Sequence, residues 1–210
     1  MSTVATPRGT DTKERLLRAA EQIFGRHGYA GTTLRAVTAE AEVNLASANY
    51  HFGSKELLVE AVFENLVQRV CEQRELALEK LQPGESLMLE EIVRSFVDPY
   101  LGDGNEKQGA LLARFLMRNR LYPTDGTRRV VSEYLDPMAK KYIAAFAQVC
   151  PNLSRQQLVW RYLFMTNTLA ASSAGDNLSR RIGALSANSG NVELRERREA
   201  MIEFLVSAFR

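Results

Sequence analysis

The stretch Asn49-Tyr-His-Phe-Gly-Ser-Lys55 gathers a carboxamide, a phenol, an imidazole, a hydroxyl and an ammonium into seven residues. Two kinds of chemistry are open to such a set. An imidazole beside a serine can pass a proton, and a carboxylate supplied by the fold would complete a nucleophilic triad. Alternatively, the ammonium, the imidazole and the N–H groups of a helix start can hold phosphate oxygens while amide and hydroxyl groups read polar edges. The remainder of the chain weakens the first option. It has two histidines, His27 and His51, and no HExxH, GxSxG or Cys/His ligand spacing, so neither catalytic residues nor a metal site is predicted. Gly102-Asp-Gly-Asn-Glu-Lys-Gln-Gly109 lacks the strand-before-helix setting of a dinucleotide loop and does not complete a calcium loop; it reads as a turn, and no cofactor is implied.

These residues must be positioned by helices. Apolar residues recur at helical spacing nearly throughout, and no stretch sustains the alternation of a half-buried strand, so the fold class is all-α. Residues 1–10 read as a tail. A first helix is expected to open at Asp11, with a reciprocal cap to Glu14, and to bury Leu16, Ala20, Ile23 and Phe24. Gly28 can take the left-handed conformation that ends it, leaving Tyr29-Ala-Gly31 as an exit loop. Lys13, Arg15 and Arg18 read as a solvated face. Thr33 caps a short helix from Leu34 to Ala41, and Glu42-Val43 turns the chain. Asn44 caps another short helix from Leu45 to His51 or Phe52, which Gly53 stops. A long helix follows from Ser54 to about Leu81, spanning roughly 40 Å at about 1.5 Å per residue. Further helices are expected near 86–101, 109–120, 127–149, 154–175 and 191–209, with a kink after Leu135 from Pro137 and a capping box at Ser154/Gln157. The segment from Ser179 to Asn191 reads as a connection. The domains are therefore 11–55, a small three-helix unit, and 56–210, a larger helical one.

At 210 residues, 45% apolar and 25% charged, the chain can bury a core without staples. Cys71 and Cys150 stand far apart and unclustered, which fits a reducing, cytoplasmic setting. No apolar run approaches the roughly 18 residues of a membrane span, and the first ten residues lack the order of a signal peptide. From Met1 to Lys55, seven basic residues face five acidic ones, a difference equal to the net charge of +2 of the whole chain. The basic excess thus lies with the small unit.

Leu34 to Phe52 is a helix, a tight turn and a second short helix, the arrangement in which the second helix enters the major groove of DNA while the first braces it. Val37, Ala41, Val43 and Ala48 allow close crossing. Thr38, Asn44, Ser47, Asn49 and His51 are left outward. An Asn side chain can present donor and acceptor to adenine, Ser bonds either base type, and Ala46 can touch a thymine methyl. His51 and Lys55, with the N–H groups near Ser54, can hold phosphates. Tyr50 and Phe52, aromatics at a helix end, read as core.

Thr12 to Phe63 resembles the tetracycline-repressor (TetR) type of bacterial transcription regulator. The likeness lies in a first helix ending Phe24-x-x-x-Gly28-Tyr29, the Thr32-Thr33 helix start, and the run Asn49-Tyr-His-Phe-Gly-Ser-Lys-Glu56 with its following leucine. It implies that Thr33, His51 and Lys55 contact phosphates and that Leu45, Ala46, Ser47, Asn49 and Tyr50 face or support the groove, alongside Asn44. The chain departs from the pattern at Asn49, where many members carry tyrosine. The resemblance also implies a homodimer on palindromic operator DNA, built from the helices at 154–175 and 191–209. Their stripes are Leu158, Tyr162, Met165, Leu169 and Ser172 on one, and Leu194, Met201, Ile202, Leu205 and Phe209 on the other. It further implies a repressor released by a small, mostly apolar effector held among Phe96, Tyr100, Phe115, Tyr142, Phe146, Phe164 and Met165. The run from Val159 to Gly175 is similar to the fatty-acid-responsive branch, pointing to a fatty acid or acyl thioester. From the residues alone, an all-helical adaptor that binds only protein remains an alternative.

Overall fold

A computed structural model describes residues 8–81, 87–102, 104, 106–174, 177–185 and 194–210. Among these residues every regular element is helical: α1 Arg8–Gly31, α2 Leu34–Glu40, α3 Leu45–Phe52, α4 Lys55–Glu79, α5 Leu89–Leu101, α6 Glu106–Leu121, α7 Asp125–Val130, α8 Asp136–Val149, α9 Arg155–Ser173, α10 Asn177–Leu185 and α11 Leu194–Ala208. The chain divides into two compact units, residues 1–65 and 66–210. The first unit takes in the opening turns of α4 because Leu58, Val59, Val62 and Phe63 are buried there.

In the first unit, α1 buries Leu16, Ala20, Ile23 and Phe24, the face read from the periodicity. It starts earlier than expected, at Arg8, so Asp11 lies inside the first turns and forms no cap with Glu14. A carboxylate there still favours the positive end of the helix dipole. Gly28, at φ 65°, breaks the helical backbone as predicted, but a further helical turn continues through Gly31 instead of a loop. Arg15 is not a solvated side chain. Its Nη2 donates to Ala41 O at 2.7 Å and Glu42 O at 3.3 Å, placing a cation on the electronegative end of α2.

The second unit is built around α5, whose Ile92, Val93, Phe96, Val97 and Tyr100 are buried. The Phe96 ring stands edge-on to Tyr142 at 5.0 Å and to Tyr162 at 5.7 Å, the geometry that the ring quadrupole favours. Helix α11 lies along α5, held by Arg94 on both carboxylate oxygens of Glu199 (3.0 and 2.6 Å) and by Arg198 on Asp98 at 2.8 Å. The helix expected over 127–149 is interrupted by a π-helical turn, Val131–Leu135, in which Asp136 N–H reaches back to Val131 O. Pro137 has no N–H for the carbonyl four residues before it, and the wider turn absorbs that gap. The Ser154/Gln157 capping box forms. The connection expected from Ser179 contains α10 instead, while the expected breaker at Pro83-Gly84 and the end of that connection lie outside the described residues.

Gly109 on α6 packs where a Cβ would lie 2.3 Å from Tyr100 O. Replacing Gly109 with Ala must therefore push α6 away from α5. We expect a loss of about 1–3 kcal/mol in urea unfolding of the full chain, the usual cost of overpacking.

Candidate functional site

The turn between α2 and α3 is made by a short chain of local bonds. Thr33 Oγ1 accepts from Ala36 N–H at 3.1 Å, setting the start of α2. Val43 N–H returns to Thr38 O at 3.0 Å, with Glu42 between them at φ 53°. Such a conformation costs a non-glycine residue about 1 kcal/mol, and Arg15 on its carbonyl offsets part of that. Asn44 Oδ1 then accepts from both Ser47 N–H (2.7 Å) and Ser47 Oγ (2.9 Å). Asn44 is thus committed to starting α3, and Ser47 is tied to it.

Helix α3 buries Ala48 and Phe52 and turns the other side outward. Asn44, Leu45, Ala46, Asn49 and Tyr50 are exposed, and Ser47 and His51 are half-buried. Tyr50 corrects the expectation that it packs in the core: it is 87% exposed, because the helical turn that sends Phe52 inward sends a residue two places earlier outward. Its ring meets that of His51 edge-on at 5.3 Å. Thr38, expected outward, is buried and donates to Arg35 O at 3.0 Å; α2 presents that side to the core.

Lys55 opens α4. Its Nζ donates to Tyr29 O at 2.6 Å and sits 4.3 Å above the Tyr29 ring. Tyr29 Oη in turn donates to Glu56 Oε1 at 3.4 Å. Hydrogen bonds from its own backbone and from Ser54 hold the Glu56 carboxyl below its usual range. The ammonium therefore has one donor engaged at the kink of α1 and two for other partners. Thr33, also predicted to contact phosphate, is exposed at the start of α2.

The second unit holds a cavity of about 300 Å³. Of the predicted effector residues, Phe96 and Tyr100 line it. Phe115, Tyr142, Phe146 and Met165 are buried elsewhere in the core, Phe146 stacked on Phe209 at 4.1 Å. Phe164 does not point inward at all: it is 60% exposed and stacks on Trp160 at 5.8 Å. The cavity wall also carries Arg74 and Asn119, which sequence reasoning did not single out, and Tyr162, which it assigned to a dimer interface. Burial pushes the phenols of Tyr100 and Tyr162 up to about 12, so both remain protonated donors.

Most of the residues expected at a dimer interface are spent inside the chain, while Ser172, Leu194 and Met201 are half-buried. Leu158, Tyr162, Met165 and Leu169, and likewise Ile202, Leu205 and Phe209, are buried within the unit. What α9 and α11 leave outward is Trp160, Leu163, Phe164 and Phe204, all exposed. The i, i+4 spacing of Trp160 and Phe164 was a readable signal for a second apolar face.

The family model described as bacterial regulatory proteins, tetR family, matches residues 16–62, and that described as tetracyclin repressor-like, C-terminal domain, matches residues 94–208. The probable HTH-type transcriptional regulator YttP of Bacillus subtilis is 26% identical over 132 residues, 63% of this chain and 60% of that protein. The HTH-type transcriptional dual regulator CecR of Shigella flexneri is 29% identical over 140 residues, 63% of this chain and 62% of that one. The chain thus spans about three fifths of the length of these relatives. Among solved structures, the fatty acid degradation regulator FadR from Bacillus halodurans is similar in fold, with a TM-score of 0.65 over 98% of both chains at 14% identity.

The Asn44 cap can be tested apart from any ligand. Asn44→Ala should destabilise the start of α3 by about 1 kcal/mol, read as roughly fivefold faster hydrogen exchange at the Ser47 amide, while Asn44→Asp keeps the protection.

Proposed function

The chain belongs to the TetR family of bacterial regulatory proteins, and from that premise we propose that it is a ligand-responsive repressor that binds a palindromic operator as a homodimer. The observation that carries this reading is the outward side of α3, where Leu45, Ala46, Asn49 and Tyr50 are exposed on a helix whose opposite side is locked into the core. Asn49 and Ser47 supply donors and acceptors to base edges, and Ala46 suits a thymine methyl. Thr33, His51 and Lys55 hold the flanking phosphates, Lys55 through the donors not engaged by Tyr29. Asn44 contributes mainly by fixing the start of α3, since its side-chain oxygen accepts both Ser47 bonds. The role is recognition without catalysis, and the setting is the cytoplasm.

One reader covers too little DNA for a tight complex; two related by a two-fold axis meet successive major grooves about 34 Å apart. The exposed Trp160, Phe164 and Phe204 on α9 and α11 support a self-complementary interface there, a four-helix arrangement across the two-fold. The cavity of the second unit supports a small, largely apolar effector, and a fatty acid or acyl thioester matches its apolar wall. Arg74 of α4 lines the cavity, so occupancy acts on the helix whose first turns belong to the reader unit. To move the population from almost all DNA-competent to almost all released, the effector must prefer the released form by about 5.5 kcal/mol.

Mobility-shift titrations against random-sequence duplex DNA should show affinity falling steeply with salt, with a slope of about −0.9 per neutralised phosphate. Binding that ignores salt would instead favour the protein-only adaptor. On a selected operator, Lys55→Ala should weaken all sequences alike, whereas Ser47→Ala and Asn49→Ala should each relax preference at particular base pairs, at about 1–3 kcal/mol per lost contact. A uniform loss from all three would remove α3 from the groove. Separately, Phe164→Glu combined with Phe204→Glu should sediment as a 23.6 kDa monomer; a dimer of unchanged stability would place the interface elsewhere.

A further inference from the structure

Arg74 is 4% exposed, yet among the described residues no carboxylate pairs with it. Its Nε and Nη2 both donate to Phe96 O, at 3.2 and 3.1 Å. Its guanidinium carbon lies 3.5 Å over the Phe96 ring and 5.1 Å from that of Tyr100. These contacts orient the group but do not neutralise it. A buried cation without a counter-charge is costly, and stacking on aromatics returns only part of that cost. Among the described residues no hydrogen bond engages Nη1, and Arg74 forms part of the cavity wall. On the same wall Asn119 has a buried Oδ1 with no hydrogen-bond partner. A half-turn of that amide exchanges oxygen for NH2 and supplies a second donor.

The remaining charges at this cavity are Arg120 and Asp136, both exposed. One cation is thus buried and unmatched, while one charge of each sign sits in water. The rest of the wall includes Leu116, Val131, Leu135 and Leu169, which are apolar. At about 300 Å³, the space is at the small end for ligand sites and suits a slender molecule.

We propose that Arg74 and Asn119 form an anion subsite, so that the cavity selects amphiphiles bearing one oxyanion head, a carboxylate or a phosphate ester, and a single apolar tail. This rests on the reading of the cavity as the effector site. It names the residues that hold the head group and requires a charge there, where that reading allowed either a carboxylate or a thioester. The head accepts from Nη1 of Arg74 and from the turned amide of Asn119, and the tail displaces water along the leucines. A neutral ligand of the same shape leaves the guanidinium unpaired.

The test is calorimetric titration of the full chain with octanoate, octyl phosphate and octanol. Octanoate or octyl phosphate, or both, should bind at least tenfold more tightly than octanol; the stronger of the two tells whether carboxylate or phosphate is the native head. Arg74→Gln should abolish the advantage of the anions over octanol measured in the same variant. Because that variant can lose stability, Asn119→Leu provides a second reading, a severalfold loss for the anions alone. Leu135→Trp, which narrows the cavity, should abolish all three ligands and so locate them. If octanol binds wild type as well as the anions do, the anion subsite is wrong while the apolar cavity stands. If the anions retain their advantage in folded Arg74→Gln, the subsite lies elsewhere. If none of the three binds wild type, the effector reading of the cavity fails together with the subsite.

Discussion

The reading surface exists because Ala48 and Phe52 are committed to the core. A helix of two turns can bury only one side, and on α3 that side is closed by a methyl group with no exposure and an aromatic ring. Ala48 is small and fully buried where α3 packs on its neighbours, and a larger residue there would lift the whole helix away. The bonds around the turn, from Arg15 on the end of α2 and from Asn44 to Ser47, then choose one rotation of α3. In the proposed reading role side chains must be held within a fraction of an ångström, and this local rigidity would supply that.

Cations in this protein are used as struts. Arg15 ties α1 to the α2 terminus, Lys55 ties the start of α4 to the kink at Gly28 through the Tyr29 carbonyl and ring, and Arg94 and Arg198 tie α5 to α11. Each joins elements distant in sequence. Exposed pairs of this kind contribute little energy, in the range of about 0–1 kcal/mol, but each fixes a register that apolar packing alone leaves free to slide. Arg74 differs from them in being buried on a cavity wall, and that difference is the ground for proposing that it meets a ligand.

In the second unit α9 and α11 each carry two apolar stripes. One stripe of α9 and one of α11 fill the interior, and a second stripe on each, with Trp160, Phe164 and Phe204, is left in water. Aromatic side chains of this size carry a large transfer cost when exposed. Trp160 and Phe164 stack on each other on α9, whereas Phe204 lines a separate surface groove with residues of α10 and α11.

Much of this was legible in the residues themselves. Helical periodicity, the caps at Thr33, Asn44 and Ser154, the left-handed glycine at position 28 and the disturbance near Pro137 are all local effects, set within a few residues by backbone sterics and hydrogen bonding. The helix-turn-helix followed from them, as did the outward polar side of α3 apart from Tyr50. The rest depended on which of two apolar stripes a helix turns inward, and periodicity cannot say when both exist: hence the interior fate of Leu158 and Met165 and the exterior one of Phe164. Nor could it flag Arg74, which sits among Glu72, Gln73 and Glu75 as though on a wet surface. Burial is decided by what other helices bring to the same place, and that information exists only once the chain is folded.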